Sequence, residues 1–248
     1  MKKVLLAGES WMSFTTHVKG FDTFTTSVYE TGTEWIEKAV KNAGYEFVFL
    51  PNHEAPEKFP FTMEELGQYD CVILSDIGSN TLLIPPATFN RSEKRPNRCN
   101  LIRDYVQAGG ALLMIGGYMT FSGIDGKGKW HDTAVQEVLP VELLTVDDRQ
   151  EHCEGVTPVT VDPKHPVMQG LPGSWPDVLG YNKSKLQPGA ELVATVCGDP
   201  FLAFENFGKG RSGILSTDCA PHWAPPEFCN WEYYDVLFKN ILSYLTKE

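Results

Sequence analysis

Residues 109–121 read Gly-Gly-Ala-Leu-Leu-Met-Ile-Gly-Gly-Tyr-Met-Thr-Phe, and this stretch decides the fold class. Its apolar run, 111–115, has the length of a strand buried on both faces, and glycine pairs bound it on either side. The second pair makes a sharp turn at the carboxyl end of that strand. In an open α/β sheet the carboxyl ends of the strands border the ligand crevice, so this turn is where chemistry is expected. Strand, tight turn and exposed side chain is also the shape of a nucleophile elbow. The apex here carries Tyr118, with neither cysteine nor serine in its place.

Outward from this stretch, strands and helices alternate through the first half. Residues 4–7 and 69–75 (YDCVILS) are short apolar runs, and 45–50 is another, stopped by Pro51. Residues 31–42 place Trp35, Ile36, Ala39 and Val40 at helical spacing, with Gly44 suited to end the helix. Thr62 with Glu65 gives a capping-box pattern for a short helix, and 100–108 (NLIRDYVQA) is another. Apolar strands separated by helices imply a parallel sheet covered on both faces, with right-handed connections. The polar, proline-containing stretch 85–98 is read as a long surface loop or lid, and the glycine-rich 122–131 as irregular. Beyond residue 141 the strands at 156–162, 191–197, 201–207 and 212–216 look antiparallel, the last two joined in a hairpin through 207–211. Residues 231–246 form a closing amphipathic helix. No repeat or linker divides the chain, so 1–248 is read as one α/β domain.

Composition narrows the function classes. A net charge of −11 disfavours nucleic acid and anionic membrane as partners, because both demand a basic face. No run of about 18 apolar residues is present, so no membrane span is expected. The N-terminal apolar run is cut short by Glu9 and reads as a strand rather than a signal peptide. The six cysteines (71, 99, 153, 197, 219, 229) lack close pairs and are expected as free thiols in a cytoplasmic protein.

Candidate chemistry lies just beyond four strand ends: Gly8-Glu9-Ser10, Ser75-Asp76-Ile77-Gly78, Gly116-Gly117-Tyr118, and Thr217-Asp218-Cys219-Ala220-Pro221-His222-Trp223. In a parallel sheet these termini converge, so Glu9, Asp76, Tyr118, Asp218 and His222 are expected to face one crevice. Paired carboxylates suit acid–base work, and histidine titrates near neutrality. Tyr118, Asp218 and His222 are the candidate catalytic groups. Glu9, Ser10, Asp76, Gly78, Gly117, Trp223 and Glu227 are the candidate ligand-binding residues. Taken singly, Asp76 and Asp218 also read as turn caps and Tyr118 as packing. No spacing matches a zinc signature, and neither Gly-x-Gly-x-x-Gly nor a Walker lysine motif occurs, so no metal or cofactor is expected. Cys219 follows a strand end without an elbow, which weakens it as a nucleophile. The stretch His152-Cys153-Glu154 reads as solvated loop. The Trp- and Pro-rich segment 221–231 is suited to wall a pocket or to pack on a neighbouring subunit.

Five segments together resemble the class I glutamine amidotransferase-like superfamily: 74–83 (LSDIGSNTLL), 101–123, 138–143 (VLPVEL), 179–183 (LGYNK) and 216–228 (STDCAPHWAPPEF). Within it they are most similar to a branch of bacterial glutamine amidotransferase-domain proteins, with trehalose-utilisation (ThuA-like) proteins more distant. The resemblance implies a flavodoxin-like three-layer α/β/α sandwich with a mostly parallel central sheet, to which the antiparallel C-terminal strands are added. Active members use a Cys-His-Glu triad, the cysteine on a Gly-x-Cys-x-Gly elbow and His-x-Glu after a late strand. Aligned on Gly116, Tyr118 takes the cysteine position and Thr120 that of the second glycine. Asp218 falls near the expected histidine, and His222 and Glu227 are five apart. Thioester hydrolysis of glutamine is therefore not expected. Two readings remain: a crevice for a small polar metabolite, or an inactive scaffold that self-associates or binds a partner.

Overall fold

The computed structural model describes residues 1–247. In chain order the elements are β1 (Lys3–Gly8), β2 (Ser10–Lys19), β3 (Asp22–Thr31), α1 (Glu34–Asn42), β4 (Glu46–Pro51), α2 (Ala55–Lys58), α3 (Met63–Leu66), β5 (Cys71–Ser75), α4 (Ser79–Leu83), α5 (Pro86–Arg91), α6 (Arg98–Ala108) and β6 (Ala111–Ile115). There follow β7 (Val141–Leu143), β8 (Arg149–Val156), β9 (Val159–Thr160), β10 (Val178–Asn182), β11 (Ser184–Leu186), β12 (Glu191–Val196), β13 (Asp199–Phe207), β14 (Gly210–Leu215), α7 (Pro226–Cys229) and α8 (Tyr234–Leu245).

The central sheet has eight strands in the order β4-β1-β5-β6-β14-β13-β12-β9. The first five run parallel, and β13, β12 and β9 continue the sheet antiparallel. This is the flavodoxin-like parallel order 2-1-3-4-5 with an antiparallel extension. The continuous apolar runs are explained by two buried faces. Val4, Leu6, Ile73, Leu113 and Ile115 pack with Ile36, Ala39 and Val40 of α1 and with Leu237, Phe238 and Ile241 of α8. The alternate residues Leu5, Ala7, Val72, Leu74, Leu112 and Met114 pack with Ala55, Phe59, Leu66, Ile102 and Val106 on the opposite side. Period-two alternation thus sends every second side chain into a different helical layer.

Three local expectations are corrected. Residues 85–98 are a surface loop only over 92–97, which are exposed and without regular structure. Pro85 starts the helical turn of α5, and Arg98 is fully buried, its guanidinium donating to the carbonyls of Leu82, Ala55 and Thr81. The expected strand 156–162 is two pieces, because β8 ends at Val156 and β9 begins at Val159. His152, Cys153 and Glu154 lie inside β8, paired antiparallel with β10, and His152 stacks on Tyr181.

The largest departure is a hairpin at 10–31. Strands β2 and β3 pair over ten residues each, from Ser10↔Thr31 to Lys19↔Asp22, as a separate two-stranded sheet. Gly20 and Phe21 form the two-residue turn, with Gly20 at φ +65°, a conformation costly to most other side chains.

Candidate functional site

The strand order reverses between β1 and β5, and the site is built there. Gly8 ends β1 at φ +116°, where an added Cβ would lie 1.8 Å from the Ser75 carbonyl oxygen. Only glycine permits this approach, and it lets the Glu9 N–H reach that same carbonyl at 2.8 Å. The next residue after each strand, Glu9 and Asp76, has left-handed backbone at φ 45° and 46°. Two non-glycine residues so held, side by side at a switch point, mark a place where the surrounding structure over-determines side-chain direction.

A cavity of about 390 Å³ opens at this corner, lined by Glu9, Trp11, Asp76, Tyr118, Asp218, Pro221 and His222. Glu9 is buried. Its Oε2 accepts from Ser75 Oγ at 2.5 Å and from Cys219 Sγ at 3.6 Å. Burial first, and then the neighbouring Asp218 and Asp76, push its carboxyl well above the usual range. Asp76 accepts from the Met119 N–H at 2.8 Å, but burial and the nearby Asp218 raise it to about 6. The Asp218 carboxylate caps the N–H groups of Cys219 and Ala220 at 2.7 and 3.3 Å. Its other oxygen lies 3.8 Å from His222 Nδ1, and hydrogen bonding to Asp218 raises that imidazole.

The turn after β6 has the strand and glycines of an elbow but not its helix. Gly117 sits at φ +156°, and residues 117–123 continue as irregular loop. No helix N-terminus therefore points at the apex, so the partial positive charge that assists an elbow nucleophile is missing along with the cysteine. Two residues that sequence reasoning passes over hold this loop. Asn182 accepts from the Gly117 N–H at 2.9 Å and donates to the Gly117 carbonyl at 3.2 Å and to Asp148 Oδ1 at 2.9 Å. Asp148, fully buried, accepts from the N–H groups of Ser122 and Gly123 at 2.8 Å each. Asn182 lies within the segment LGYNK, so its polar side chain in an otherwise apolar strand is the signal available. Asp148 stands beside Asp147 with nothing in the sequence to separate buried from solvated carboxylate.

Tyr118 presents its ring to the cavity while its hydroxyl donates to Glu151 Oε1 at 2.9 Å. The ring meets His222 edge-on at 4.3 Å between centroids and lies under the Arg149 guanidinium. Burial and Glu151 raise the phenol's pKa, so it is a poor phenolate. Of the residues expected at the site, Glu9, Asp76, Tyr118, Asp218 and His222 line the cavity together. Gly117 backs it, since a Cβ there would come within 3.1 Å of Asp76 Oδ1. Trp223 is buried behind Tyr118 and donates to Glu151 Oε2 at 2.9 Å. Ser10 instead accepts from the Asn52 N–H, and Gly78 precedes α4 against Met119. Glu227 is exposed on α7, outside the lining. Trp11, two residues beyond Glu9 on β2, is the lining residue the sequence reading omits.

Glu9, Asp218 and Cys219 offer donor atoms within 4.8 Å of one another. As arranged, Glu9 Oε2 is already occupied by Ser75 and Cys219, and the thiol of Cys219 is pushed well above its ordinary value by burial and by Glu9. Burial therefore favours the protonated forms of Glu9 and Cys219 over a thiolate. Chemical modification checks this directly. All six cysteines are free, and only Cys153 and Cys197 are exposed. Ellman's reagent is expected to titrate those two rapidly in the native protein and all six after denaturation. A third fast thiol that disappears in Cys219→Ala would show a reactive Cys219.

Comparison with known proteins agrees with this architecture. Cytoplasmic Protein STM3548 from Salmonella typhimurium is 40% identical, with 98% of each chain covered and a TM-score of 0.95. Cytoplasmic Protein STM1381 from Salmonella typhimurium LT2 is likewise 40% identical, covering 98% of this chain and 99% of that one, at 0.94. A ThuA-like protein from Parabacteroides merdae shares the fold at 14% identity and a TM-score of 0.57, with 99% of this chain and 89% of that one covered. No curated protein matches the chain. Among the described residues no helix is long and apolar enough to cross a membrane. The family model GATase1_like, described as "Putative glutamine amidotransferase", matches residues 3–247, and the chain belongs to that family.

Proposed function

We propose that the cavity at the switch point binds a small, uncharged, hydroxyl-rich metabolite, and that the chain does not hydrolyse glutamine through a cysteine thioester. One observation carries the reading: three carboxyl groups, an imidazole and two aromatic rings line the cavity, and no lysine or arginine is among the lining residues. Phosphorylated and carboxylated ligands meet the Asp76 and Asp218 carboxyls and find no lysine or arginine among the lining residues. His222 is the one lining group that can carry positive charge, and it already lies 3.8 Å from Asp218. A hydroxyl both donates and accepts a hydrogen bond at one atom. It matches a cavity in which burial favours the protonated form of Glu9, a donor, beside the acceptor oxygens of Asp76 and Asp218. Trp11 and Tyr118 supply flat apolar walls for the C–H faces of such a molecule, and the volume suits a ligand of sugar size. A protein in the same compartment as its cytoplasmic relatives would meet such metabolites.

The test is a thermal-shift and calorimetric screen of neutral sugars and polyols, with organic amines and glutamine as comparators. A neutral ligand at about 100 times its Kd is expected to stabilise by about 2.7 kcal/mol, a rise of roughly 5–10 °C for a chain of this size. The rise should fall away in His222→Ala and Asp76→Asn. A cationic amine, by contrast, would strip the Glu9 proton and bind with measurable proton release. Equal stabilisation of parent and variants would remove the ligand from this cavity, and amine binding with proton release would replace the neutral ligand by a cation. Glutamate formed from glutamine and abolished by Cys219→Ala would restore the thioester reading.

A further inference from the structure

We infer that the hairpin 10–31 is an arm that docks on a second copy of this chain. It is not part of the body's core. Every residue of β3 is exposed, and among the described residues each hydrogen bond, ion pair and ring contact of residues 12–28 stays inside the hairpin. Contact with the body lies at the base, where Ser10 meets Asn52, Tyr29 meets His53, Trp11 lines the cavity and Met12 borders Asn52 and His53. Strands of ten residues reach about 34 Å at some 3.4 Å per residue, and a lone two-stranded hairpin of that kind is marginal in water.

The register fixes what each face presents. Met12, Phe14, Thr16 and Val18 lie opposite Tyr29, Ser27, Thr25 and Thr23, so this face carries no charge at any position. Phe14 and Val18 are each 70% exposed on it, and Phe21 at the tip is wholly exposed. Lys19, Asp22 and Glu30, the arm's only Lys, Arg, Asp or Glu residues, belong to the other face. The pairing runs without a bulge, and no proline interrupts either strand. The devices that usually blunt an open edge are therefore absent from its middle.

Charge selects the occupant. The chain carries −11, so two copies repel over most of their surfaces. An uncharged face that exposes Phe14 and Val18 is where they meet without that penalty, whereas a basic partner would be drawn to the acidic body instead. Pairing the β3 edge antiparallel with its own copy about a two-fold axis through Ser27 sets Thr23 opposite Thr31 and Phe24 opposite Glu30, and leaves Asp22 beyond the paired stretch. No charge then meets its like.

Light scattering on the intact chain, across micromolar to submillimolar concentration, tests this against the 27.7 kDa of a single copy. The parent is expected at twice that mass or a higher multiple. The double variant Phe14→Asp/Val18→Asp should self-associate at least about a hundredfold more weakly, and run as a single copy, with the parent's far-ultraviolet dichroism and ligand-free melting of the body preserved. Phe89→Asp, an equally exposed phenylalanine on α5, should leave the assembly intact. A parent that stays at one copy throughout would overturn the inference. So would a double variant that keeps the parent's mass, or dissociation by Phe89→Asp alone.

Discussion

Asp76→Asn is expected to make the protein more stable at pH 8 and to leave it unchanged at pH 4, while weakening any ligand held in the cavity. Asp76 titrates at about 6 in the folded chain against an ordinary 3.8. Between those values the folded state holds a proton that the unfolded state has released. Stability is therefore greatest below the window and falls as pH rises through it. The full difference corresponds to about 3 kcal/mol, an upper bound because Asp76 keeps some exposure; roughly 1–3 kcal/mol is expected. Asparagine removes the charge and retains an oxygen for the Met119 N–H. Its melting temperature at pH 8 should exceed the parent's by roughly 2–10 °C. Glu9, displaced in the same direction, extends the parent's decline to higher pH. Thermal melts at both pH values decide the point, and a variant less stable than the parent at pH 8 would show that Asp76 is paid for by favourable charge contacts instead.

Asn182→Ala should be among the most damaging single substitutions. It leaves the buried Gly117 N–H without an acceptor and removes a donor from the buried Asp148 carboxylate, whose remaining partners hold Ser122 and Gly123. Stranding a buried polar group costs about 1–3 kcal/mol, more for a charge, so a loss of about 3–5 kcal/mol is expected. That is a fall of roughly 6–20 °C in melting temperature. Asn182→Asp separates the causes. Its oxygen still accepts from Gly117, but two carboxyls then face each other, so its defect should be larger at pH 8 than at pH 4. Urea midpoints at the two pH values measure both effects. A loss below about 1 kcal/mol in Asn182→Ala would mean the loop is held elsewhere.

The sheet was legible because burial writes itself into the sequence. Residues 4–7, 71–74 and 111–115 are apolar without interruption, since both faces are covered by helices. Convergence of Glu9, Asp76, Tyr118, Asp218 and His222 followed from strand order alone. The arm was not legible, for the converse reason. Neither of its faces is buried by the chain itself, so the threonines, valines and aromatics of 11–30 alternate without an apolar–polar contrast. The turn at Gly20-Phe21 was the available clue. Asn182 and Asp148 were hidden because their role depends on which loop they meet across the fold. Arg98 misled in the same way: a cation in a polar stretch reads as solvated until its carbonyl partners are known.

The proposed chemistry of the site turns on the burial that favours a protonated Glu9. Infrared spectroscopy of the native protein at pH 7, set against Glu9→Gln, measures that proton directly. The arrangement of Ser75, Cys219, Asp76 and Asp218 around that carboxyl predicts a protonated carboxylic-acid carbonyl band that is present in the parent and absent from the variant. A Glu9 carboxylate band at that pH, with thiolate absorbance assigned to Cys219, would contradict it and return the corner to nucleophilic chemistry.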